Sequence, residues 1–301
     1  MFERYVQIVH AVSEWGWEDM RCAMNGLRMI NRILLTAVFG RRIFERLVAI
    51  GIAALFSTHS VGGAELKVVS ANAMHAALQE LAQHFEAASV HKAVIEYGTV
   101  GYVEKKVLGD DPVDVAIIIR PLFEKLVGTG KLLGDTGAPL ARVPIGLAVR
   151  ASAPKPDIRT VAAWQKALLA ANIVTYGDPR MGDAAGIHLA HVLETLGLAE
   201  VLRSKTRLIS PSAGQSGAQY LAGLFQRGET EIAMAPISVL GETQGVDIVG
   251  LLPAELQSPD LSYWAGLVST SRHAAEAMAL IGFLTSPPAR AVYRAKSMEP
   301  G

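Results

Sequence analysis

Cysteine is almost absent from this sequence: Cys22 is the only one in 301 residues, and none occurs from residue 65 onward. That excludes a disulfide framework, a thiol nucleophile and a thiolate metal site from the region after residue 64. An excess of charge of one sign is missing too. The 28 Lys and Arg are matched by 28 Asp and Glu, which leaves no basic face of the kind that meets nucleic-acid phosphates. Neither a Gly-x-Ser-x-Gly elbow nor a Walker-type phosphate loop occurs, and Ser210-Pro211-Ser212 has no base close by in sequence. No catalytic residue and no cofactor is assigned on these grounds. His188 and His191 stand three apart, with no carboxylate at metalloprotease spacing and no cysteine to assist, so no metal site is assigned either. Internal repeats, low-complexity tracts and a second long apolar run are also lacking.

What is present begins near the N-terminus. Arg41, Arg42 and Arg46 precede the apolar run Leu47–Phe56, and Gly62-Gly63-Ala64 follows it. A charged segment, a short apolar segment and a small-residue exit make a secretory signal, with cleavage expected between Ala64 and Glu65. About ten apolar residues are too few to cross a bilayer as a helix, which takes ~20. Arg41-Arg42-Ile43-Phe44 is similar to a twin-arginine export motif, but Glu45 follows where an apolar residue is usual, so Sec and Tat export both stay open. Met29 is an alternative start that would make residues 1–28 an extension. No cysteine follows the apolar run to take a lipid anchor, so the expected product is freely soluble, exported and monomeric. It carries 21 basic against 23 acidic residues.

From Leu66 the pattern switches repeatedly between short apolar runs and helical spacing. Leu66–Ser70 reads as a strand, 73–88 as a helix with Leu78, Leu81, Ala82 and Phe85 on one face, 94–97 as a strand, 100–108 as a helix and 113–119 as a strand. This order predicts an α/β sheet covered by helices. The apolar strand 143–149 precedes Pro154 and Pro156, which mark the start of a second lobe. That lobe is expected to hold helices at 160–171, 184–196 and 215–226 and strands at 173–176 and 231–234. After Pro236 the chain returns, with strands at 247–250 and 263–268, a helix at 274–284, and Pro287-Pro288 before a short last one. The divisions are therefore 1–64 for extension and signal, 65–150 for the first lobe, 151–236 for the second and 237–301 for the return.

Three motifs occur along this order. They are Asp111-Pro112-Val113-Asp114-Val115, then Asp178-Pro179 with Ala184-Ala185-Gly186-Ile187-His188 running into Leu196-Gly197-Leu198, and Gly228-Glu229-Thr230-Glu231-Ile232-Ala233. Together they resemble the type II periplasmic binding proteins, most of all the molybdate-binding branch, over 65–301. The resemblance implies two Rossmann-like lobes joined by a hinge, a periplasmic location, and the substrate-binding part of an ABC importer that meets an inner-membrane permease. A ligand sensor for a membrane receptor or kinase would use the same fold, and the two stay open; an exported hydrolase is the enzymatic alternative. The family's hydroxyl ligands fall on Ala73 and Val100, its tyrosines on Pro236 and His188, and Thr99 could restore one hydroxyl. An organic acid is thus as good a ligand as a molybdate-like oxyanion.

Ligands of open α/β sheets lie beyond the carboxyl ends of the strands, where helix N-termini offer unpaired N–H groups. The loops at those ends supply the candidate ligand-binding residues Asn72, Ala73, Thr99, Val100, Gly101, Arg120, Ala184, Ala185, His188, Ser212 and Gln215. Arg120 would pair with an anion bidentately. Met234 and Tyr263 read as core.

Overall fold

The order of strands and helices sorts the chain into two sheets. The computed structural model describes residues 63–211 and 215–301. The expected export signal, Cys22 and Met29 lie outside the described residues, as does Ser212.

In the first lobe β1 (Glu65–Ala71) leads through a 3-10 turn at Asn72–Met74 into α1 (His75–Ala88). Next come β2 (Lys92–Gly98), α2 (Val100–Leu108), β3 (Val115–Ile119) and α3 (Arg120–Gly128). β2 and β3 both pair with β1 in parallel, each reached through a helix. β4 (Ala138–Arg142), β10 (Ser262–Leu267) and β11 (Glu299–Pro300) extend the far side, giving the order β11-β4-β10-β3-β1-β2. α1 forms because Ala77, Leu78, Leu81 and Phe85 recur at helical spacing and are all buried. Thr99 separates β2 from α2, its side chain accepting the Tyr102 N–H at 3.2 Å.

The second lobe runs β5 (Ile145–Arg150), α4 (Val161–Ala170), β6 (Val174–Gly177), α5 (Ala184–Thr195), α6 (Ala199–Leu202), β7 (Thr206–Ile209), α7 (Gly217–Arg227), β8 (Ile232–Pro236), α8 (Ile237–Glu242) and β9 (Val246–Leu251). Its sheet has the order β7-β6-β8-β5-β9. Alternation along the strands feeds two cores, one per face. Ile145, Leu147, Val149, Ile232 and Met234 pack on one side with Trp164 and Leu189, while Ala148, Ala233 and Ala235 pack on the other with Leu221 and Phe225. α9 (Ala274–Leu284) and α10 (Pro287–Ala295) return to the first lobe, where Leu280, Ile281 and Tyr293 join its core. Pro287 and Pro288 do not precede α10 but form its first turn, where a missing N–H costs no helical bond.

Sheet membership corrects both lobe boundaries. β5 belongs to the second sheet, so the chain crosses at Val143-Pro144 rather than after Arg150. Pro154 and Pro156 fall in a loop inside the second lobe. β9 also stays in the second sheet, pairing with β5, so the return crosses between Leu251 and Ser262 rather than at 237. The two crossings are bound side by side. Val143 N–H donates to the Leu261 carbonyl and Leu252 N–H to the Ile145 carbonyl, both at 3.0 Å. The Gln257 side chain grips Ile145 at both its N–H and its carbonyl, each at 2.8 Å. Among the described residues no single helix is long and apolar enough to cross a membrane.

Candidate functional site

Between the lobes, at the carboxyl ends of β1, β2, β6, β7 and β8, lies a cavity of ≈ 40 Å³. One water needs ~10–15 Å³ by the same measure, so there is room for several waters or a small ion. The first lobe contributes Ala71-Asn72-Ala73, Gly98-Thr99-Val100 and Tyr263. The second contributes Gly177, Asp183-Ala184-Ala185, Ile209, Pro211, Gly217, Ala235-Pro236 and Val239. Three of these stretches are the N-termini of α2, α5 and α7. A helix N-terminus carries a partial positive charge, and part of each first turn is already capped: Tyr102 N–H by Thr99, Gly186 N–H by Asp183 and Gln219 N–H by Ser216. Among the described residues no Lys, Arg or His lines it.

The lobes touch at the cavity's edge. Thr99 Oγ1 donates to the Met181 carbonyl at 2.6 Å, and Gly101 N–H donates to the Gly182 carbonyl at 3.1 Å. Further round, Ser238 Oγ donates to the Ala73 carbonyl at 2.7 Å, and His75 Nδ1 lies 2.8 Å from Glu242 Oε1. The Tyr97 ring packs edge-on against His75, and burial, with Glu242 beside it, pushes the Tyr97 hydroxyl's pKa up.

Six of the expected residues meet at the cavity: Asn72, Ala73, Thr99, Val100, Ala184 and Ala185. Thr99 does not restore a free hydroxyl, because its oxygen is committed to Tyr102 and Met181. Gly101 sits in the contact between the lobes, not on the cavity wall. Arg120 is elsewhere. It opens α3 and is exposed, with its Nε 2.8 Å from Glu124 Oε1 and its guanidinium 5.6 Å from the centre of the Trp264 ring. His188 faces away from the cavity, its Nε2 donating to the Leu256 carbonyl at 2.9 Å. Gln215 is exposed and off the wall, and the cap of α7 is Ser216, with Gln219 completing a capping box. Among the described residues no group of three or more His, Cys, Asp or Glu is placed to hold a metal ion.

Two side chains of the wall are not among the candidate ligand residues, although Asp183 belongs to one of the candidate loops and Tyr263 reads as core. Tyr263, on β10, is 2% exposed yet lines the cavity. Asp183 caps α5, accepting the Gly186 N–H at 2.6 Å. Burial raises the Asp183 pKa, and Asp178 adds to that, against the Gly186 and Ala185 N–H groups. Asp178 behaves oppositely. Arg180, its own contact to the Arg180 N–H and Ser210 hold it down at about 2. Tyr263 reads as core in sequence, since a tyrosine in an alternating strand looks like core.

Known proteins agree with this architecture. The family described as bacterial extracellular solute-binding protein matches residues 66–299. Aconitate isomerase from Pseudomonas sp is 29% identical over 241 residues, covering 78% of this chain and 87% of that protein. The periplasmic molybdate-binding protein of Azotobacter vinelandii superposes with a TM-score of 0.64 at 21% identity, over 78% of this chain and 99% of its own. The sulfate-binding protein of Mycobacterium tuberculosis H37Rv gives 0.62 at 17% identity, over 79% and 87%. At these identities the two solved structures share the fold with this chain, the one implied by the resemblance to the molybdate-binding branch.

Proposed function

Since the chain belongs to the bacterial extracellular solute-binding protein family, we propose that it captures a small anion between its lobes outside the cytoplasm. It holds the anion unchanged and presents it to an inner-membrane ABC permease. The observation that carries this reading is the convergence of three helix N-termini from both lobes on one cavity that has no cationic side chain among the described residues. Such a site binds negative charge through backbone N–H groups and helix dipoles. Ala73 and Val100 in the wall offer no hydroxyl, which favours a small organic acid over molybdate. The test is thermal unfolding of the purified protein with molybdate, sulfate, phosphate and a series of di- and tricarboxylates. A bound anion at 1,000 times its Kd stabilises by about 4 kcal/mol, which raises Tm by roughly 8–16 °C in a protein of this size. No shift with any of them would count against the reading.

A second reading is favoured by one observation: the identity to aconitate isomerase, 29%, exceeds that to the molybdate- and sulfate-binding proteins, 21% and 17%. In that reading the cavity isomerises an unsaturated polycarboxylic acid. Incubation with cis-aconitate followed by proton NMR separates the two readings. A carrier stabilises the acid or ignores it and returns it unchanged, whereas an isomerase accumulates the trans acid.

A further inference from the structure

Asp183 is out of keeping with a cavity made for negative charge alone. Its carboxyl lines the wall beside Ala184 and Ala185 and is fixed by the Gly186 N–H. Gly177 stands directly against it: a Cβ there would lie 2.2 Å from Asp183 Oδ1, so the carboxyl is packed on the β6 backbone with no side chain between. The titratable groups that reach Asp183 are Asp178, at the end of β6, and Tyr263, on β10 of the other lobe. Asp178 is already bound by Arg180 and Ser210, and no cation pairs with Asp183 among the described residues. Tyr263 is almost wholly buried in the wall, and half-buried Asn72 lines the same wall. Both lobes therefore bring polar side chains to one small space: Asn72 and Tyr263 from the first, Asp183 from the second.

We propose that Asp183 selects the solute: the cavity takes a small anion that also carries a hydrogen-bond donor, and rejects anions that carry none. The inference rests on the reading of this cavity as the solute site. An ionised carboxylate has only lone pairs to offer. Facing an anion without a proton, it is left unpaired beside a like charge, both of which disfavour binding. A hydroxy acid, a hydrogen phosphate or a half-protonated polycarboxylic acid supplies the missing proton, and its oxygens take the helix N–H groups and the Tyr263 hydroxyl. Burial, with Asp178 nearby, holds the Asp183 carboxyl above the ordinary range. At low pH it carries a proton of its own, and the penalty on donor-less anions relaxes.

The test is calorimetric titration of the full chain with two matched pairs, phosphate against sulfate and malate against succinate. The members of each pair are alike in shape and differ in whether they carry a donor. Wild type and Asp183→Asn are compared at pH 5 and pH 8; Asn keeps the helix cap and turns an acceptor into a donor. In wild type at pH 8 the donor-bearing member of at least one pair binds at least tenfold more tightly. That gap closes in Asp183→Asn, and in wild type the phosphate–sulfate gap, whose sulfate gains no proton of its own at pH 5, narrows there. An equal gap in both proteins, or a wild-type preference for sulfate or succinate, overturns the assignment of Asp183 and leaves the cavity as an anion site. Absence of heat with all four probes in both proteins overturns the anion reading itself. A Tm for Asp183→Asn no lower than that of wild type confirms that the variant is folded.

Discussion

Gly101 and Gly182 meet backbone to backbone across the mouth of the cleft, the Gly101 N–H donating to the Gly182 carbonyl at 3.1 Å. A Cβ on Gly101 would lie 3.1 Å from Gly182 Cα, and one on Gly182 would lie 2.7 Å from Gly101 Cα. Gly182 also has φ +70°, where a side chain is strained in any case. Gly101 is in the first turn of α2, where alanine is the better helix former by up to about 1 kcal/mol. Gly101→Ala therefore obstructs closure without harming the lobe. Its expected signature is an unchanged or higher Tm without ligand, together with a solute affinity at least tenfold weaker by calorimetry.

Thr99 joins the same contact by a different route, capping α2 with one bond and crossing to Met181 with another. Thr99→Ala loses both and should cost about 1 kcal/mol from the cap alone. Thr99→Ser keeps both oxygen contacts and should restore affinity and Tm together. Chemical denaturation and titration of the two variants check this.

Two carboxyls five residues apart titrate in opposite directions. Asp178 is held at about 2, so its stabilisation is complete above its unfolded value near pH 4 and is lost as pH falls toward 2. Asp178→Asn should cost about 1–3 kcal/mol at pH 7 and almost nothing at pH 2. Asp183 is raised, so the folded state holds its proton more tightly than the unfolded chain, and stability falls as pH climbs through the folded value. Asp183→Asn should therefore raise Tm at pH 8 and have less effect at pH 4. Melting curves of both variants across pH 2–8 read the two signs directly.

Thr175 is fully buried on β6, and its hydroxyl has no partner among the described residues. Thr175→Val keeps the shape and removes the orphaned group, so it should stabilise the second lobe by about 1 kcal/mol. In a protein of this size that is a Tm increase of roughly 2–4 °C.

Much of the fold is legible in the sequence because its elements announce themselves locally. Apolar spacing and the Thr99 cap define α2 at 100–108, and Ala274 to Leu284 is a helix as its pattern suggests. α3 was hidden because Arg120-Pro121 resembles the end of a strand, although Pro121 in fact occupies the first helical turn. The lobe boundary was hidden because 143–149 looks like one strand. Pro144, which has no N–H to donate, marks the crossing inside it. In the site, the helix N-termini follow from the strand ends, and six of the candidate residues line the cavity. His188 and Arg120, expected at the site, lie off the cavity wall, because the direction of a side chain from a helix start depends on which neighbour packs beside it. Tyr263 needed three dimensions: only the opposing lobe shows that its buried hydroxyl opens onto a cavity.

The claim that a solute sits between two closing lobes is tested most directly by a distance measured across the cleft. With Cys22→Ser as background, spin labels at exposed Asp110 of the first lobe and Glu200 of the second report the separation of the lobes by pulsed electron paramagnetic resonance. The anion that raises Tm most should collapse a longer or broader distribution to one narrow, shorter distance, as hinge closure requires. An identical distribution with and without that anion would contradict the account.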